Sequence, residues 1–315
     1  MASVLIIAPQ NDVHALAVAE RIQQRGQKAL IVDSRWLNNE LFSYDINCNS
    51  HLLEWKGHRI DPTSIWWRRA HSPTTASPDY NVQKFVVAEK RSALFGSLHS
   101  AGCPIFNDPA RETLANLKPY QLAVARQIGL QIPRTIITND YKAMIQFRDS
   151  CKARSKRCIY KSLTPCPTHL GETRLVDDQL QPEELIMAPV IFQECIERGR
   201  DIRVFIANSK VFSVNVLTQH EELIDWRLDP LCTYEPTKLH KAVEAKLKML
   251  LSRLGLHTGS IDLREDSGGE LFFLEINPSG QFLFLESDAN LPVTAAIADL
   301  LLSPSLTKKN RTVKQ

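Results

Sequence analysis

Apolar residues follow two rhythms in the first third of the chain. Val4-Leu-Ile-Ile7 and Ala29-Leu-Ile-Val32 are short continuous runs. Between them Ala15, Val18, Ala19 and Ile22 recur at helical spacing up to a stop at Gly26. That order predicts a βαβ opening of a parallel sheet. Ser64-Ile-Trp-Trp-Arg-Arg69 reads as a further strand ending in two arginines, a helix is expected over Val82 to His99, and Gly102 to Asn107 reads as the last strand of this part. Asp12 and His14 fall where the first strand hands over to its helix, a place for ligand contacts in such sheets, although a helix cap is the favoured reading of Asp12. The two arginines suit a carboxylate, or one of them pairs with a nearby acid. No Gly-x-Gly-x-x-Gly occupies this turn, which argues against a dinucleotide site.

Beyond a linker the pattern changes. Asn116 to Gly129 is predicted as a helix with Pro119 in its first turn, Leu130 to Thr138 as an exit strand, and Tyr141 to Ser150 as a second helix. Cys158 to Leu163 is a strand carrying Lys161. Ile191–Ile196, Asp201–Ile206 and Val211–Val216 are consecutive strands of an antiparallel sheet, the last two joined at Asn208-Ser209. A helix from Pro236 to Leu254 leads into a hairpin, Gly259 to Glu265 and then Glu270 to Pro278.

This hairpin carries the most informative chemistry. Strand side chains alternate, so Asp262 shares one face with Glu275 and Asn277, while Ile261, Leu263, Phe272, Leu274 and Ile276 form the apolar face. A two-residue turn at Ser267-Gly268 sets Asp262 opposite Phe273 and diagonal to Glu275, whereas a three-residue turn flips the relation. Two carboxylates and an amide carbonyl are hard oxygen ligands, and Mg²⁺ takes one or two carboxylates while nucleotide phosphates complete its octahedron.

Bulk properties narrow the class. At 315 residues, 43% hydrophobic and 23% charged, the chain has room for two or three packed units of an ordinary globular protein. A net charge of +3 argues against nucleic-acid binding, since the basic runs Lys152–Arg157 and Lys308–Arg311 read as solvated loops or ends. Seven cysteines without a Cys-x-x-Cys pair argue against zinc or a disulfide framework and for a reducing cytoplasm. No run is long enough to span a bilayer, and the N-terminal residues read as a strand rather than a signal peptide.

Taken in order, Lys118, Lys161, Gln193-Glu-Cys-Ile196, Asp201-Ile-Arg203, Asp262 and Glu275-Ile-Asn277 resemble the ATP-grasp ligases over residues 105–300. The resemblance implies an α/β (α+β) architecture: an N-terminal Rossmann-like domain (1–108), a central lid (109–190), a C-terminal antiparallel-sheet subdomain (191–303) and a disordered tail (304–315). It implies ATP and Mg²⁺. Lys118 and Lys161 would meet phosphates, and Gln193, Glu194, Cys195 and Ile196 would border the adenine. Asp201 would contact the ribose, Arg203 would lie near the γ-phosphate, and Asp262, Glu275 and Asn277 would bind metal. One departure is the loop Thr164–Gly171, richer in Pro than Gly where many relatives cover the triphosphate with a small turn.

Ile65-Trp-Trp-Arg-Arg69, Asp225-Trp-Arg227, and Asn277 to Leu285 followed by Asn290 to Asp299 are further similar to the maturases of graspetides, the microviridin-type ribosomal peptides. That resemblance implies a precursor peptide, leader and core, as partner. It also implies ω-ester or ω-amide ring closure through acyl phosphates, Arg227 against a substrate carboxylate or γ-phosphate, and a homodimer as an option. Two alternatives stand beside it: a ligase adding glutamate or another amino acid to a small molecule or protein C-terminus, and an ATP-binding protein without turnover.

Overall fold

The computed structural model describes residues 3–35, 42–46, 53–55, 58–164, 173–177, 180–197, 199–220 and 224–303. The described residues form two compact units, one running to Pro109 and resuming at Pro292, the other spanning Ala110–Leu291. Most of the loop Thr164–Gly171 and all of the tail 304–315 lie outside the described residues.

The first unit opens with β1 (Ser3–Ile7), α1 (Val13–Gln23) and β2 (Lys28–Val32), as the apolar rhythm requires. The short antiparallel strands β3 (Phe42–Tyr44), β4 (Leu53–Trp55) and β5 (His58–Ile60), unforeseen in the sequence, precede β6 (Ser64–Trp67), α2 (Tyr80–Ser100) and β7 (Ile105–Phe106). The main sheet is parallel in the order β2-β1-β6-β7. Leu5, Ile7, Val32 and Ile65 pack with Leu94 and Leu98 of α2. Asp12 is indeed a cap: Oδ1 accepts from the Ala15 amide at 2.8 Å, and also from Arg68 Nε at 3.0 Å in a buried ion pair. The helix Val293–Leu302 packs on α1 and β6, and Ser64 Oγ donates to the Leu301 carbonyl at 2.7 Å. This helix therefore belongs to the first unit, unlike the expected boundary at 303.

The second unit begins with α3 (Pro109–Ala115) and α4 (Lys118–Gln127). A four-stranded sheet follows, ordered β10-β9-β11-β8, from β8 (Thr135–Thr138), β9 (Cys158–Lys161), β10 (Arg174–Leu175) and β11 (Val190–Glu194). It is covered by α5 (Tyr141–Lys152) and the one-turn α6 (Pro182–Leu185) around Met144, Cys151, Cys158, Leu185 and Phe192.

The five-stranded antiparallel sheet takes the order β14-β13-β12-β15-β16, with β12 (Arg200–Ala207), β13 (Lys210–Leu217), β14 (Thr233–Pro236), β15 (Thr258–Glu265) and β16 (Leu271–Asn277). The helix expected from Pro236 is shorter. β14 takes Pro236 on a sheet edge, where a missing amide costs least, and α7 (Lys241–Leu254) starts after His240. Ile202, Val204, Ile206, Ile261, Leu263, Phe273 and Ile276 project from one face of this sheet into a core shared with Leu122 and Val124 of α4 and Leu247, Leu250, Leu251 and Leu254 of α7. α8 (Leu283–Ser287) completes the unit.

Candidate active site

The opposite face of the five-stranded sheet is polar. Antiparallel pairing aligns Asp201 with Arg264, Arg203 with Asp262 and then Glu275, and Phe205 with Ser260 and then Asn277. Paired residues share a face, so these rows gather five of the expected site residues on one surface: Asp201, Arg203, Asp262, Glu275 and Asn277.

The hairpin reaches that arrangement by an unexpected route. Asp266 and Glu270 close a three-residue loop, Ser267 to Gly269, with Gly269 at a φ of 82°. Asp266 Oδ1 accepts from the amides of Gly268 and Glu270, both at 2.9 Å. The two-residue turn is thus replaced by a three-residue one, which alone would set Asp262 against Leu274. A β-bulge between Asp262 and Leu263 shifts the register by one more residue, and Asp262 lies directly opposite Glu275, not Phe273. The bulge also sends Phe273, not Phe272, into the core. The Phe273 amide, turned out of the β15 ladder, donates to the Gln131 carbonyl at 2.8 Å.

Charges interlock across this surface. Arg203 Nη1 donates to Asp262 Oδ1 at 2.8 Å, and Arg203 Nη2 donates to the Gln281 carbonyl. Arg264 grips both oxygens of the buried Asp201, at 2.7 and 2.8 Å. Glu275 stands between two cations, with Lys118 Nζ 3.2 Å from one oxygen and Arg227 Nη1 3.4 Å from the other. Burial would raise the Glu275 carboxyl, but Lys118, Lys161 and Arg227 hold it at about 2. Lys161 is pushed down to about 8, first by burial and then by Lys118 and Arg227 against the pull of Glu275. Burial raises Asp262 despite Arg203.

Arg227 is delivered by a single 3₁₀ turn, Trp226–Leu228. Asp225 caps the turn and accepts from Arg227 Nε and Nη2 at 2.8 and 2.6 Å, leaving Nη1 aimed at Glu275. Asp229 closes the turn's other side: its wholly buried carboxylate accepts from the amides of Gln219, His220 and Leu231.

Between this face and β9 and β11 lies a cavity of about 670 Å³, open mouth included, lined by nine of the expected residues. They are Lys118, Lys161, Gln193, Glu194, Cys195, Ile196, Arg227, Asp262 and Glu275. Asp201, Arg203 and Asn277 do not line it. Arg264, Trp226, Thr173 and Leu274 do, and were not foreseen. Arg264 had a signal, since it follows Asp262 by two residues on one strand face. Where β11 ends, the Glu194 amide donates to the Arg134 carbonyl and the amide of the following Cys195 to the Arg157 carbonyl. Glu194 Oε2 is buried and accepts no hydrogen bond, with Arg154 Nη1 3.8 Å away.

No protein-family model and no curated protein matches the chain. Solved structures do. The macrocyclase MdnC of Microcystis aeruginosa MRC, bound with precursor peptide MdnA, is 26% identical with a TM-score of 0.82, over 96% of this chain and 99% of that one. A RiPP-associated ATP-grasp ligase of Chryseobacterium gregarium, in complex with ADP and a leader and core peptide, is 24% identical with a TM-score of 0.81 over 96% of both chains. The chain has the ATP-grasp fold. The ATP-grasp ligase PsnB, complexed with minimal precursor, Mg and ADP, is likewise similar at 24% identity and a TM-score of 0.78, with 97% of each chain covered. Among the described residues no helix of this ATP-grasp chain is long and apolar enough to cross a membrane.

The donor set fits Mg-ATP. Among the described residues no three His, Cys, Asp or Glu side chains could hold a metal together. Asp262 and Glu275 in the cavity, with Asn277 on the same sheet face outside its lining, would suit a Mg²⁺ that draws its remaining oxygens from phosphates and water. Lys118, Lys161 and Arg227 offer the matching cations, and the orphan Glu194 Oε2 offers an acceptor to an amino group at the cavity's other end.

Proposed function

We propose that this protein is an ATP-dependent ligase that activates side-chain carboxylates of a ribosomal precursor peptide and closes ω-ester or ω-amide rings. The observation that carries it is the single cavity on which Asp262, Glu275, Lys118, Lys161 and Arg227 converge, in a fold shared with macrocyclases and peptide-bound ATP-grasp ligases.

Asp262, Glu275 and Asn277 would hold Mg²⁺, which would supply positive charge to offset that of the nucleotide phosphates. Lys118 and Lys161 bind phosphate oxygens as compact cations. Gln193 to Ile196 border the adenine. With the Glu194 and Cys195 amides already donated to Arg134 and Arg157, their part falls to main-chain carbonyls and to Glu194 Oε2, a ready acceptor for the exocyclic amine. Asp201 acts toward the ribose end through Arg264, the cavity-lining partner that occupies its carboxylate.

A substrate carboxylate oxygen attacks the γ-phosphorus, the bond to the β-phosphate oxygen breaks, and ADP leaves. Arg203, through Asp262, and Arg227 directly stabilise the charge in transit. A Ser or Thr hydroxyl, or a Lys amine, then attacks the acyl phosphate and loses its proton as phosphate departs. Each ring removes the elements of one water from the peptide. Exclusion of solvent would protect the acyl phosphate, which water otherwise hydrolyses.

The test is mass spectrometry of a small Thr/Ser- and acid-rich peptide encoded beside this protein, incubated with ATP and Mg²⁺. Stepwise loss of one water per ring, with one ADP formed each time, is the expected result. An unchanged peptide, with ADP released when free amino acids are supplied, would transfer the assignment to an amino-acid ligase.

A further inference from the structure

Gln121 lies one helical turn beyond Lys118 on α4, is 3% exposed, and belongs to no expected site. Its carboxamide is fully engaged. Oε1 accepts from the Ile276 amide at 3.1 Å, while Nε2 donates to the Ile276 carbonyl at 2.8 Å and to the Ala115 carbonyl at 2.6 Å.

These bonds fall on the outer edge of β16, the last strand of its sheet, where no further strand among the described residues meets the main chain of Ile276. One side chain thus does locally what a neighbouring strand would do. Its place in the sequence matters most. Ile276 sits between Glu275 and Asn277, and just past the bulge that sets Asp262 opposite Glu275. A main chain loosened there would let the hairpin return to the register its three-residue loop prefers, with Glu275 off the polar face.

We propose that Gln121 is a positioning residue for the metal ligands. Resting on the reading of Asp262, Glu275 and Asn277 as that ligand set, the inference is that its carboxamide holds the strand in the one register that presents all three to a single divalent cation. The same helix reaches Glu275 itself through Lys118 Nζ, so α4 holds the side chain of this ligand and the main chain of the residue that follows it. Loss of an oriented partner behind a metal ligand weakens metal binding by about 10–100-fold.

The experiment measures Mn²⁺ binding in the presence of ADP by electron paramagnetic resonance, on the wild type, Gln121→Met and Gln121→Asn. Methionine keeps the volume and removes the amide; asparagine keeps the amide one methylene short, and carries the test if the methionine protein does not fold. The expected result is Mn²⁺ binding weakened by about tenfold or more, with the Mg²⁺ needed for half-maximal ADP release rising in step and the rate at saturating Mg²⁺ largely kept. A folded variant that binds Mn²⁺ like the wild type, whatever its melting temperature, would overturn the role of Gln121 alone. A wild type that binds no Mn²⁺ with ADP would overturn the metal reading beneath it.

Discussion

Asp262 and Glu275 face one another across the last hairpin because two irregularities cancel: a loop one residue longer than the tight turn, and a bulge that adds one residue more. Either alone would leave a carboxylate pointing at the wrong side of the sheet. Glu275→Gln with Asn277→Ala keeps the strand's shape and removes the charge and carbonyl offered to metal. Mg²⁺-dependent ADP release should fall by about 100-fold or more while the melting temperature stays near wild type. Full activity in this variant would dismiss the metal assignment.

Gly280 is tested by its lack of a side chain. A Cβ there would lie 2.4 Å from both Cβ and Oγ of Ser260 and 3.1 Å from Arg203 Nη2. Gly280→Ala should therefore cost about 1–3 kcal/mol in chemical denaturation and reduce turnover by displacing Arg203. Ser260→Gly in the same chain removes the clashing atoms, so the double variant should recover turnover relative to Gly280→Ala, a coupling a double-mutant cycle would measure.

Lys161, at about 8, links nucleotide binding to pH. Below that value it is already charged and ready for phosphate. As pH rises through 8 it loses its proton, and ATP must then recruit one on binding. Affinity for ATP should therefore fall above pH 8, with proton uptake visible by calorimetry in buffers of different ionisation enthalpy. Lys161→Arg, charged throughout, should flatten the profile even if it binds more weakly.

The buried Asp201–Arg264 pair predicts an asymmetry in stability. Arg264→Met strands a buried carboxylate and should cost about 3–5 kcal/mol. Asp201→Leu added to it should return part of that loss in urea denaturation, because no unpaired charge remains.

Much of this was legible in the chain because it rests on local rules. The alternation that placed Glu275 and Asn277 on one face survives, since period two holds along an unbroken strand segment, while Asp262 joins them only through the paired loop and bulge; the Lys118 helix begins at Lys118 with Pro119 in its first turn. What escaped depends on partners distant in sequence. Beside the bulge, the Phe273 amide is taken by Gln131, a partner on a distant segment. Gln121 looks like an ordinary helix residue until Ile276, 155 positions later, is brought to it. The strand β14 was hidden by a proline that a central strand would not accept but an edge strand does. Asp201 looked available to a ligand until pairing brought Arg264 across from it.

The helix Val293–Leu302 belongs to the unit that the first hundred residues begin. On the ribosome this imposes an order. Residues 110–291 can finish folding while the earlier unit still waits for its last helix, with Ser64 and the surfaces of α1 and β6 uncovered until residues 293–302 have been made. A chain ending near residue 291 would carry a complete cavity wall beside an unfinished sheet. Its characteristic failure would be aggregation through the first unit, with the nucleotide chemistry of the second still intact.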